Sequence, residues 1–165
     1  VTGVQPCALP ILTCAGSLER DPITASRVRG LAATLGLDAR VEWRGDLDPD
    51  NLRACYQRVH VFVSASRRET YGMALADALA HGLPVVATRV GAADSLVGTT
   101  AGLVVPADDV AALADALEHL LSDGHLRARL AAGARDRRTQ LPSWDDAVAR
   151  FIRVLDTLPP AAPHD

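Results

Sequence analysis

Two carboxylates eight positions apart, Glu69 and Asp77, bracket the opening of a helix whose first amides come from Thr70, Tyr71, Gly72 and Met73. This set suits a ligand rich in oxygens. A carboxylate accepts paired hydrogen bonds, as from a diol, and the unsatisfied N–H groups of a helix N-terminus seat phosphate or sugar oxygens. Gly72 has no side chain to keep a ligand off the backbone. Plainer readings stand beside these. Asp77 is also what an exposed helical acid one turn before His81 looks like, Glu69 also suits a helix N-terminus through the dipole, and many helices open this way without a ligand.

The elements that must position this set are legible around it. Val59 to Val63 reads as a buried strand, Ser64 to Tyr71 as a polar loop, Gly72 to His81 as a helix, and Val85 to Thr88 as a second buried strand. Gly82 stands where a helix end calls for positive φ, and Pro84 prevents continuation. Short Val-rich runs without alternation are what a parallel sheet covered on both faces requires, so the stretch is one βαβ unit. Ligands of such sheets bind beyond the carboxyl ends of the strands, where Glu69, Thr70, Tyr71 and Gly72 lie.

The rest of the chain repeats the alternation. Ile11 to Cys14 is a strand turning at Gly16. Asp21 caps a helix with Pro22 in its first position, carrying Val28, Leu31, Ala32 and Leu35 at helical spacing and ending at Gly36. Val41 to Trp43 is the next strand, Arg44-Gly45-Asp46 its loop, and Pro49 to Arg58 a helix. After Thr88 comes a loop with Gly91 and Gly98 and one helical turn, then a strand from Gly102 to Pro106. Asp108 is expected to cap an amphipathic helix containing Val110, Leu113, Ala114, Leu117, Leu120 and Leu121. A helix from Asp123 to about Arg138 follows. Ser143 and Asp146 form a capping-box pattern before a last helix with Val148, Phe151, Ile152 and Leu155 on one side. Residues 159–165, with three prolines, read as an unstructured tail. The fold class expected is α/β, a Rossmann-like parallel sheet flanked by helices.

Composition narrows the class. The 165 residues suffice for one domain with a sizeable core, and 48% hydrophobic with 22% charged residues excludes disorder as the overall state. A net charge of −3 with dispersed Lys and Arg gives no reason to expect nucleic acid, and no apolar run reaches membrane-spanning length. Cys7, Cys14 and Cys55 are odd in number and unpatterned, which fits a reducing cytoplasm. The five histidines lack ligand spacing. Asp46, Asp48 and Asp50 superficially match a metal-holding Asp-x-Asp motif, yet they precede a helix, where acids are expected as caps.

The loop, its aromatic and glycine, the second acid and the run Ala78-Leu-Ala-His-Gly-Leu-Pro-Val-Val-Ala87 together resemble glycosyltransferase family 4, whose signature has an acid, an aromatic and a Gly opening a helix. The chain departs by carrying Asp77 where that family usually has Glu, one methylene longer. The resemblance covers roughly Leu12 to Leu158 and implies the later part of the C-terminal, donor-binding domain of a GT-B fold. It implies a retaining transferase of the hexosyltransferase type, moving a sugar from a nucleotide-diphosphate sugar to an acceptor hydroxyl without a metal or other cofactor. Glu69 then contacts the donor sugar near the reacting carbon, Asp77 holds the ribose diol, and the Thr70–Met73 amides take donor oxygens. Tyr71 fills the family's Phe or Tyr position and suits packing as well. Gly16 and Gly45 border the nucleotide, though tight turns explain them equally, and Arg44 faces base or phosphate unless it is a solvated surface Arg. The rivals are a non-catalytic nucleotide-sugar-binding domain and a sugar-nucleotide epimerase.

Family members hold the diphosphate with an Arg and a Lys placed before the segment corresponding to Leu12, and bind the acceptor, here expected to be a glycan or lipid, in a separate N-terminal domain. The expectation is therefore a partial domain over 12–158, inactive alone and peripheral to a membrane at most. Residues 1–11 resemble a translated sequencing adapter and read as a non-native leader, the alternative being a genuine extended segment entering the first strand.

Overall fold

The computed structural model describes residues 10–158, so most of the expected leader and the whole expected tail lie outside the described residues. The described residues fall into two compact units divided between Val59 and His60.

In the first unit, β1 (Leu12–Ala15) pairs in parallel with β2 (Val41–Gly45). Helix α1 (Pro22–Thr34) connects them, its N-cap Asp21 accepting the Thr24 amide and Pro22 opening the helix as expected. Helix α2 (Pro49–Arg58) follows with Asp48 as its cap.

The second unit carries a parallel sheet ordered β3 (Phe62–Ser64), β4 (Val85–Thr88), β5 (Gly102–Val105). Each unit thus carries its own parallel sheet, in keeping with the α/β class expected. Strand β3 is shorter than the Val59 to Val63 expected, because its ladder to β4 runs only from Phe62 to Ser64 and Val59 closes α2 instead. Helix α3 (Met73–Ala80) buries Leu75, Ala76, Ala78 and Leu79. It ends in a Schellman arrangement, with Gly82 N–H donating to Leu79 O at 2.9 Å and Leu83 N–H to Ala78 O at 3.0 Å. All four residues of β4 are buried, with α3, α4 (Ala93–Val97) and α5 (Val110–Ser122) against the strand, as a strand without alternation demands. Val86 and Val105 pack with Ala116 and Leu120 of α5 and with Leu126 and Leu130 of α6 (Gly124–Arg138).

The cap of α5 is Asp109, one residue beyond the Asp108 expected. Asp109 has extended backbone and accepts the Ala112 amide at 2.9 Å. Asp108 takes a φ of 61°, a left-handed geometry that Asp tolerates, and stands one residue before the cap. The last helix, α7 (Trp144–Thr157), begins with the capping box foreseen between Ser143 and Asp146. Its apolar side is uncovered, Phe151 being 63% exposed. No helix among the described residues is long and apolar enough to cross a membrane.

Candidate functional site

Because β3 and β4 are parallel and adjacent, their carboxyl ends emerge side by side. The loops leaving them, 65–72 and 89–92, enclose a hollow of about 70 Å³, room for a small polar group rather than a whole sugar nucleotide. Ser64, Ser66, Glu69, Tyr71, Gly72 and Thr88 supply its polar and backbone surface.

Gly72 is the N-cap of α3 with φ 89° and ψ 59°, and no side chain caps the helix. A Cβ there would sit 3.6 Å from the Glu69 Cγ. That is ordinary contact, so what calls for glycine is the backbone conformation, one that other residues rarely adopt. Glu69 turns its Oε1 onto the Thr70 amide at 3.0 Å. Tyr71 lines the hollow while partly exposed, and Met73 is exposed. Asp77 lies on an exposed position of α3 and does not line the hollow. The contact between this acid's residue and the next turn runs through the backbone, His81 Nδ1 standing 2.8 Å from the Asp77 carbonyl. The structure thus gathers Glu69, Tyr71 and Gly72 around one hollow, with Thr70 bonded to Glu69, and leaves Asp77 outside it.

In the first unit, the two expected glycines meet, Gly16 N–H donating to Gly45 O at 2.8 Å. Arg44 is not in a loop. It is a residue of β2, and its guanidinium pairs with Glu42 at 3.0 Å. Alternation along the strand puts residues 42 and 44 on one face, so the carboxylate already occupies the arginine expected to meet base or phosphate. Of the three alternating acids, Asp48 caps α2, accepting the Asn51 amide at 2.8 Å. That backbone bond holds its pKa below the ordinary carboxylate value. Among the described residues no group of three or more His, Cys, Asp or Glu side chains is placed to hold a metal.

Sequence reasoning gave Ser64, Ser66 and Thr88 no role at the hollow. The signal available was position: hydroxyl residues at the carboxyl ends of two adjacent buried strands.

Residues 9–123 match the family model described as glycosyl transferases group 1. The chain is similar to the D-inositol 3-phosphate glycosyltransferases of Corynebacterium urealyticum, 32% identical over 90% of this chain and 35% of the relative, and of Xylanimonas cellulosilytica, 34% identical over 87% and 34%. Among solved structures it is similar to sucrose-phosphate synthase from Thermosynechococcus elongatus, with 30% identity, a TM-score of 0.78, and coverage of 88% of this chain and 37% of that one. It also superposes on Anabaena Alr3699/HepE, solved in complex with UDP, at a TM-score of 0.80 with 20% identity over 90% and 41% of the two chains. The chain spans about a third of the length of the curated relatives it matches.

Proposed function

The chain belongs to the glycosyl transferases of group 1, and from that premise we propose that the loop at the carboxyl ends of β3 and β4 seats a nucleotide-diphosphate sugar, the donor of a retaining, family 4 hexosyl transfer. The observation that carries the reading is the meeting of Glu69 with an uncapped helix N-terminus at one hollow. A carboxylate there orients sugar hydroxyls, and the helix end favours the negative charge of the donor phosphates. The HepE structure, with UDP bound on the same fold, supports the choice of ligand class.

In this reading Glu69 fixes the sugar ring beside the bond that breaks. The Tyr71 and Met73 backbone, opening α3, faces the departing diphosphate, and Asp77 on the exposed side of the helix takes the ribose diol. The acceptor hydroxyl attacks from the face the diphosphate leaves, giving its proton to the leaving phosphate oxygen, so that the anomeric configuration is kept. The protein contributes positioning and charge stabilisation rather than a covalent nucleophile. The reading invokes no metal or prosthetic group. The acceptor, a glycan, lipid or polyol, is bound elsewhere in the whole protein, and we propose that the 165-residue chain alone transfers sugar at little or no rate.

A radiolabelled-sugar transfer assay on the whole protein tests the function, with UDP-, GDP- and ADP-sugars as donors and inositol phosphates among the acceptors. Transfer from one donor class with the anomeric configuration retained is expected. Inversion would contradict the mechanism, and hydrolysis or epimerisation without transfer would contradict the reaction class.

A further inference from the structure

The Glu69 loop is exposed through residues 67–71, and the ties described below come from a neighbouring segment rather than from the loop itself. We propose that Thr88 and Gly91, at the junction of β4 and α4, are positioning residues that fix the Glu69 carboxylate, an inference that rests on the donor reading above.

Thr88 is the one buried polar residue among the described residues, 6% exposed. Its hydroxyl donates to the Ser66 carbonyl at 2.5 Å, with the Ser64 carbonyl at 3.4 Å. Its backbone is paired to Val105 in the β4–β5 ladder, so the hydroxyl is held from the rigid side and the loop carbonyl comes to it. A buried hydroxyl left without an acceptor is costly, which makes this a strong constraint on where the loop starts.

Three residues on, the chain returns to the same loop. Ala92 N–H donates to the Thr70 carbonyl at 3.2 Å. Gly91, with φ 52°, backs directly onto the Glu69 and Thr70 carbonyls, and a Cβ there would overlap the Glu69 carbonyl oxygen. No rotamer change relieves a clash with backbone, so any side chain at 91 must push the loop away. Residues 88–92 thus grip the loop before and after Glu69, and the acid's place at the hollow is set from β4 and α4.

The test uses three variants of the 165-residue chain. Thr88→Val keeps the branched shape and removes the hydroxyl, Thr88→Ser keeps the hydroxyl, and Gly91→Ala adds the Cβ. Backbone ¹⁵N order parameters for residues 67–71 and UDP affinity by calorimetry are read for each. In Thr88→Val and Gly91→Ala the loop order parameters are expected to fall from about 0.85 to below about 0.6 while Val86 and Leu103 stay rigid, with UDP affinity down roughly tenfold. Thr88→Ser is expected to restore both values to within about twofold of wild type. Unchanged loop order in both variants, or loosening spread equally over β3, β4 and β5, would overturn the inference. If either variant does not fold, the other decides. A wild-type chain that binds no UDP counts against the donor reading alone, because the order parameters judge the grip without ligand.

Discussion

The carboxylate of Glu69 folds back on its own loop, its Oε1 accepting the Thr70 amide at 3.0 Å. A ligand oxygen reaching for that amide must therefore displace the acid, and the displaced acid is free to meet the sugar. Loss of the side chain should separate these two effects. Glu69→Ala in the whole protein is expected to lower kcat by roughly a hundredfold while UDP affinity stays within about threefold of wild type or improves. Steady-state kinetics beside calorimetry check the split, and a loss of UDP affinity with kcat unchanged would place Glu69 in ground-state binding alone.

Asp77 is exposed and outside the hollow, so its removal should spare the fold. Asp77→Ala is expected to weaken donor binding by roughly 1–3 kcal/mol, the range for losing a charged hydrogen-bond partner, with no change in melting temperature. Asp77→Glu, restoring the commoner family residue, should bind at least as well as wild type. Unaltered donor affinity in Asp77→Ala would remove the acid from the site.

Packing makes a different demand. Leu120 is 0% exposed within the β4, β5, α5 and α6 cluster, whereas Leu155 on α7 is 48% exposed. In the 165-residue chain Leu120→Ala should cost about 2–5 kcal/mol, and Leu155→Ala should stay within about 0.5 kcal/mol. Urea denaturation compares them, and a comparable loss at Leu155 would mean that α7 packs on something.

Acid should destabilise the fold through its helix caps. Amide bonds from Thr24, Asn51 and Leu126 hold Asp21, Asp48 and Asp123 below the ordinary carboxylate value, and the Ser143 hydroxyl does the same for Asp146. A pKa lowered by folding contributes stability that is present above the unfolded value and lost as pH falls through the folded one. The urea midpoint should therefore decline below about pH 4, and Asp123→Asn, which caps without titrating, should flatten that decline. A midpoint that holds steady into acid would contradict the assignment.

Much of this was legible because the causes are local. Gly82 after α3, Pro22 at the start of α1 and the Ser143–Asp146 box answer to a few neighbouring residues, and each stands as the sequence implied. The Glu69, Tyr71 and Gly72 grouping was likewise readable, since a strand, a turn and a helix fix it in one short segment. Arg44 was misplaced because β2 runs on to Gly45, though the alternation of Glu42 and Arg44 gave a hint of their pairing. Asp108 was chosen over Asp109 because adjacent acids look alike until backbone torsions distinguish them. Thr88 and Gly91 stayed hidden for a deeper reason: their partners, Ser66 and Glu69, are more than twenty positions away, and only the packing of one loop on another brings them together.

The most direct measurement is an NMR titration of the 165-residue chain with UDP, following backbone amides. Saturable shifts concentrated at Thr70, Tyr71, Gly72 and Met73, with smaller ones at Thr88 and Gly91, are the expected result. Saturable binding that leaves those amides unmoved, or no binding at millimolar UDP, would contradict a donor seat at the opening of α3.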